Sequence, residues 1–189
     1  MASSGPNYAA TAADDSSNGG SAAWSTPTNA EGVPDSSTSG FSGNGGVISH
    51  YLKATNYGFS IPTGSTINGI SVTLTGSRLS LALAAKDNAA YLVVGGSPSG
   101  SNKATGANAF SSSVTTITYG GSADTWGLTL TPSQVNASNF GFVFAVQASA
   151  NAKNNSNSNV NAIGITVTYT APSGQQKVQH LGMLMGVGC

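Results

Sequence analysis

Serines are plentiful in this sequence, but a serine becomes a nucleophile only beside a base that a third group holds in place. The available bases are His50 and His180, far apart in the chain, and no Gly-x-Ser-x-Gly elbow occurs. Cys189 is the single cysteine, with nothing near it in sequence to favour the thiolate. Paired carboxylates for glycoside hydrolysis would have to be Asp87 and Asp124, because the other acids lie in the polar N-terminal stretch. Their contexts, Lys86-Asp-Asn88 and Ala123-Asp-Thr125, read as turns, where aspartate bonds its own backbone.

Metal and phosphate chemistry find no better footing. Two distant histidines do not make a zinc site, and Asp14-Asp15 lacks the alternating Asp framework of a calcium loop. Gly43-Asn-Gly-Gly46 is glycine-rich, but no Lys-Ser/Thr and no helix follows it. The expectation is a protein without catalytic, cofactor-binding or metal-ligating residues. Trp24, Trp126 and the tyrosines could form a sugar-stacking platform. Trp126 shares an alternating run with Leu128 and Leu130, however, and reads as core. Tyr51, Tyr57, Tyr91 and Tyr119 read as strand-end residues with the hydroxyl in water.

Charge is scarce. Six basic and six acidic residues make up 6% of the chain, against about a quarter in an ordinary soluble domain. Residues 1–47 hold Asp14, Asp15, Glu31 and Asp35 and no base, a net −4. The remainder holds six scattered bases against Asp87 and Asp124, a net +4. With no basic cluster, nucleic acid is not an expected partner. No apolar run reaches the ~18 residues of a membrane span, and Met1-Ala-Ser-Ser-Gly-Pro6 has no signal-peptide pattern. We therefore expect synthesis in a cytoplasm and no membrane partner.

The elements that would position any site fall into three regions. Residues 1–46 read as an extended polar N-terminal arm whose aromatics Tyr8, Trp24 and Phe41 suggest docking. Residues 47–171 read as a β-sandwich domain. Ile70, Val72 and Leu74 alternate with Ser and Thr, as do Leu79, Leu81 and Leu83, then Trp126, Leu128 and Leu130. Phe140 to Val146 and Ile163 to Tyr169 continue the pattern of half-buried antiparallel strands. Tyr91–Val94 is a continuous apolar run. Turn clusters fall at 62–66, 95–102, 120–124 and 151–159. Thr131-Pro-Ser-Gln134 is a capping box with proline at the first helical position, predicting a helix of at most two turns.

Two echoes run through this region. Thr55-Asn-Tyr-Gly-Phe59 matches Ser138-Asn-Phe-Gly-Phe142, and Ile67-Asn-Gly-Ile-Ser-Val-Thr-Leu-Thr75 matches Val160-Asn-Ala-Ile-Gly-Ile-Thr-Val-Thr168. Seven or eight strands with such pseudo-symmetry predict a single all-β antiparallel sandwich of the jelly-roll or Greek-key kind. Residues 172–189 leave the pattern as an apolar C-terminal tail. Trp24, Phe41, Leu181, Met183, Leu184, Met185 and Val187 are the expected partner contacts.

Several stretches carry a resemblance. They are Trp24-Ser-Thr-Pro-Thr-Asn-Ala30, Tyr51-Leu-Lys-Ala-Thr-Asn-Tyr-Gly-Phe-Ser-Ile-Pro62 into Gly64–Ile70, and Tyr119-Gly-Gly-Ser-Ala-Asp-Thr-Trp-Gly-Leu128. Asn139-Phe-Gly-Phe142 and Ile165-Thr-Val-Thr-Tyr169 complete the set. Over residues 20–170 the chain resembles a type of phage and prophage virion surface protein found in fibres, adhesin-like proteins and capsid-surface proteins. The resemblance implies a β-sandwich component of a virion, without active-site residues. The expected function is a capsid decoration or cement protein binding the major capsid protein or another virion protein. It is expected as a homo-oligomer, with a trimer favoured. The alternative is a tail-fibre or adhesin-type module that binds a host glycan.

Overall fold

The computed structural model describes residues 1–78, 83–150 and 155–173. Leu181, Met183, Leu184, Met185 and Val187 lie outside the described residues, as do Leu79 and Leu81. The strands are β1 (Ala2–Tyr8), β2 (Thr11–Asp15), β3 (Ser39–Gly43), β4 (Tyr51–Thr55), β5 (Thr66–Ser77) and β6 (Leu83–Ala84). They continue as β7 (Lys86–Val94), β8 (Ser97–Ser99), β9 (Thr115–Gly120), β10 (Gly141–Gln147) and β11 (Ser156–Thr170). A single helical turn and a half, α1 (Pro132–Asn136), precedes β10.

One sheet runs β1-β11-β5-β9, with β3 and β6 also paired to β11; the other runs β2-β4-β10-β7-β8. All strand pairs are antiparallel except the two-residue β6–β11 contact. Eight of these strands form the order β3-β11-β5-β9 facing β4-β10-β7-β8. The first strand of that set lies beside the last, and the chain crosses repeatedly between sheets. That is the jelly-roll arrangement. β1 prolongs the β3 edge along β11, and β2 adds a strand beside β4.

The alternation read from sequence places the core. Ile70, Val72, Leu74, Ile163, Ile165 and Val167 point inward from one sheet, each fully buried. Leu52, Ala54, Leu92, Phe142, Phe144 and Val146 meet them from the other. The longer sequence echo acquires a geometric meaning. Val72 pairs with Ile165, its own equivalent, while Ile70 pairs with Val167 and Leu74 with Ile163. The repeat is thus a local twofold across the β5–β11 pair. The shorter echo does not share it. Thr55–Phe59 leaves β4 whereas Ser138–Phe142 enters β10, the two meeting where the Asn56 N–H donates to the Ser138 carbonyl.

The structure corrects the three-region reading. Residues 1–46 are woven into both sheets: β1 and β3 pair with β11, and β2 with β4. Trp24 and Phe41, expected as partner contacts, are 3% and 1% exposed. Their rings lie 6.0 Å apart, with Trp24 6.2 Å from Phe144, and the Trp24 Nε1–H donates to the His50 carbonyl at 2.9 Å. What these aromatics dock on is the chain's own core. Residues 126–130 are not a strand: Trp126 adopts φ 59° in a turn, which its alternating leucines concealed. The 151–159 turn cluster also ends early, since Ser156, Asn157 and Ser158 are buried at the start of β11. The Asn157 side-chain amide donates to the Phe41 carbonyl at 2.9 Å.

The capping box forms as the sequence requires. Thr131 Oγ1 accepts from the Gln134 N–H, and the Gln134 side chain accepts from the Thr131 N–H.

Replacing Trp24 by alanine opens a large void in the shared core. We expect Trp24→Ala to cost about 3–5 kcal/mol in urea unfolding. A loss below about 1 kcal/mol would mean that the N-terminal segment is a passive leader.

Candidate interaction surface

Charge is partitioned between the two sheets. None of β1, β3, β5, β6, β9 and β11 contains Asp, Glu, Lys, Arg or His, so the whole sheet built on β11 is chargeless along its strands. The charged strand residues, Asp14, Asp15, Lys53, Lys86 and Asp87, all belong to the opposite sheet.

With Ile70, Val72 and Leu74 turned inward, Ser71, Thr73 and Thr75 face outward, beside Gly164, Thr166 and Thr168 of β11 and Thr116, Thr118 and Gly120 of β9. Thr75 and Thr116 share a hydrogen bond between their hydroxyls at 3.1 Å. Gly164 lies under Tyr8 and Thr73; a Cβ there would meet the Thr73 hydroxyl at 2.9 Å and the Tyr8 ring at 3.1 Å. The face is hydroxyl-rich and neutral. Its outermost strand, β9, carries none of the charges that usually blunt a sheet edge.

Acidic side chains are spent on the fold itself. All six are bonded within the protein. Asp14 accepts from the Trp24 N–H at 2.8 Å and pairs with His50 Nδ1 at 2.7 Å. Asp15 accepts from the Ser17 N–H and from Lys53 Nζ, both near 3 Å. Glu31 accepts from the Ala12 N–H, tying the segment after the first strands back to β2. Asp35 caps its own turn through the Ser37 N–H, and the loop is held by Asn161, whose amide donates to the Asp35 and Ser37 carbonyls. Asp124 accepts from the Trp126 N–H, as its turn-like context predicts, and pairs with Lys103 at 2.8 Å.

Asp87 departs from expectation. It is a buried strand residue, 6% exposed, accepting from the Tyr119 hydroxyl at 2.9 Å and the Thr105 N–H at 3.0 Å. Burial, with Asp87 beside it, drives the Tyr119 hydroxyl pKa far above the ordinary tyrosine value. Tyr57 is also buried and its hydroxyl is likewise raised by burial. Both tyrosines therefore contradict the reading of strand-end residues in water. Tyr51 and Tyr91 do lie half-exposed on β4 and β7. Neither tryptophan forms a platform, since Trp126 is fully buried and donates through Nε1 to the Ile70 carbonyl at 2.9 Å. Gly120 is required beside it: at φ 70° a Cβ would strike the indole nitrogen.

The structure brings Asp87 and Asp124 to one edge of the sandwich, where Lys103 pairs with Asp124 and lines the same cavity as Asp87. The His50 ring is held by Asp14, while the neighbouring Ser49 hydroxyl donates to the His50 carbonyl rather than to the ring. Among the described residues no group of three or more His, Cys, Asp or Glu is placed to hold a metal ion, and no helix is long and apolar enough to cross a membrane. No family model, curated protein or solved structure matches this chain.

Two of the carboxyls, Asp15 and Asp124, are held below the ordinary carboxylate range. Burial pushes the Asp15 carboxyl up, but the Ser17 bonds and the Lys53 ammonium outweigh it, leaving its pKa below the ordinary value. The Lys103 hydrogen bond, against a smaller burial effect, lowers Asp124 likewise. Carboxyls lowered in the fold are protonated first in the unfolded chain. Their stabilisation is complete above the unfolded value of about 3.9 and is lost as pH falls through the folded values. In thermal melts from neutral to acidic pH, the Asp15→Asn/Asp124→Asn variant should start from a lower Tm and fall less below about pH 4. An acid dependence identical to the parent's would contradict this.

Proposed function

We propose that this protein is a non-enzymatic phage virion component, a decoration or cement protein that stabilises the capsid by packing its chargeless sheet against the major capsid protein. The observation carrying this reading is the complete absence of charged side chains from the six strands of one sheet. Protein interfaces are depleted in Lys, Glu and Asp, because each such group must be stripped of water when the surfaces meet. Threonine and serine hydroxyls lose less on desolvation and can bond to a partner's backbone. The two-sheet jelly roll supports this face from beneath, and the resemblance over residues 20–170 points to the same class of virion surface protein. A closed oligomer, with a trimer as the expected form, would repeat the face around a capsid symmetry axis.

The test inserts charge where the reading requires neutrality. Thr118→Lys combined with Thr166→Lys puts two ammonium groups on the outer face without touching the core. Particles purified from a phage encoding this chain should carry at least about tenfold fewer copies of the variant, with an unchanged Tm. Undiminished occupancy by the folded variant would overturn the proposal.

A further inference from the structure

At the free edge of the sandwich a cavity of about 260 Å³ opens between β9 and residues 103–109. Its volume far exceeds the ~30 Å³ share of one water and falls short of the several hundred Å³ of drug-sized pockets. Asp87, Lys103, Asn108, Ile117 and Tyr119 are among its walls.

The Asp87 carboxylate is under-supplied with donors. Oδ2 takes the Tyr119 hydroxyl and the Thr105 N–H at 2.9 and 3.0 Å. Among the described residues Oδ1 has only the Thr105 hydroxyl at 3.4 Å, and that hydroxyl lies equally far from Oδ2. A hydroxyl has one hydrogen to give, so Oδ1 is left without a full-strength partner in a side chain 6% exposed. Lys103 does not fill the gap: its ammonium pairs with Asp124 at 2.8 Å, and among the described residues no bond joins it to Asp87. On the same wall the Asn108 carboxamide makes no hydrogen bond among the described residues. Ala107, Ala109 and Ile117 complete the lining with apolar surface.

We infer that this cavity binds a neutral polyol of monosaccharide size, with Asp87 Oδ1 accepting a ligand hydroxyl and Asn108 bonding its neighbour. The pairing follows from what the walls lack and offer. A carboxylate short of donors wants O–H groups, the exposed Asn108 amide at the mouth can both give and take, and an apolar flank suits the C–H face of a ring. Charge excludes the alternatives: Asp87 repels an anion, and Lys103 on the same wall disfavours a cation. The inference goes beyond the virion reading, and sugar binding and particle attachment are measured separately, so either stands if the other fails.

The test is a titration of the full-length ¹⁵N-labelled protein with millimolar glucose, galactose, mannose and N-acetylglucosamine. At least one sugar should give saturable shifts confined to the amides of residues 87, 103–109 and 117–120. Asn108→Ala leaves every Asp87 bond in place and should weaken that binding about tenfold. Asp87→Asn, checked for native spectra, should weaken it at least as much. No saturable shift with any of the four sugars would overturn the inference, as would unchanged affinity in Asn108→Ala.

Discussion

The fold depends on where β11 goes. This one strand of 15 residues takes β1 and β3 along one edge and β5 and β6 along the other. Without it that side is reduced to the β5–β9 pair. The strand joins β1 and β3 from the opposite end of the sequence, so the pairing closes a loop of more than a hundred residues for each N-terminal strand. Loop-closure entropy grows slowly with length, but non-local contacts of this kind must be paid for before they reward the chain. The polar residues at the start of β11 show how the closure is fastened. Asn157 bonds the Phe41 carbonyl, and Asn161 bonds the Asp35 and Ser37 carbonyls, each staple crossing most of the sequence.

The scarcity of charge follows the same division of labour. All six acids secure a turn, a loop or a neighbouring segment through backbone N–H groups, and three also meet a cation or histidine. Four of them lie in the first 35 residues, a stretch too polar to be held by burial alone. Carboxylates fix the backbone there, and Trp24 and Phe41 add the apolar anchor. The sheet around β11, by contrast, is left with hydroxyls, amides and glycine. This broad face is kept neutral, and that neutrality is the physical basis of the proposal that it meets another surface.

Much of the core was legible because β5 and the second half of β11 alternate, and α1 because its cap is spelled out in Thr131 and Gln134; β10, read as half-buried, is instead buried on both faces, Val143 and Ala145 included. What escaped was decided by distant partners. β1, β2 and β3 are short, polar and rich in Ser, Gly and Ala, with no periodicity of their own; pairing, not pattern, makes them strands. Asp87 sits in a sequence that suits a turn, yet its neighbours place it in β7, facing a tyrosine from the other sheet. Trp126, Leu128 and Leu130 alternate because a turn lays them over the core, a periodicity that a strand would also produce. The surface cavity was out of reach, since nothing in the sequence sets Asp87 beside Asn108 and Ile117.

Amide hydrogen exchange on the intact chain reads the β11 closure directly. If the N-terminal strands are integral to the sandwich, amides bonded across β3–β11 and β1–β11 should be protected and should open together with those of the β5–β11 pair. Exchange at unprotected rates throughout residues 1–43, beside a protected β5–β11 pair, would contradict the account.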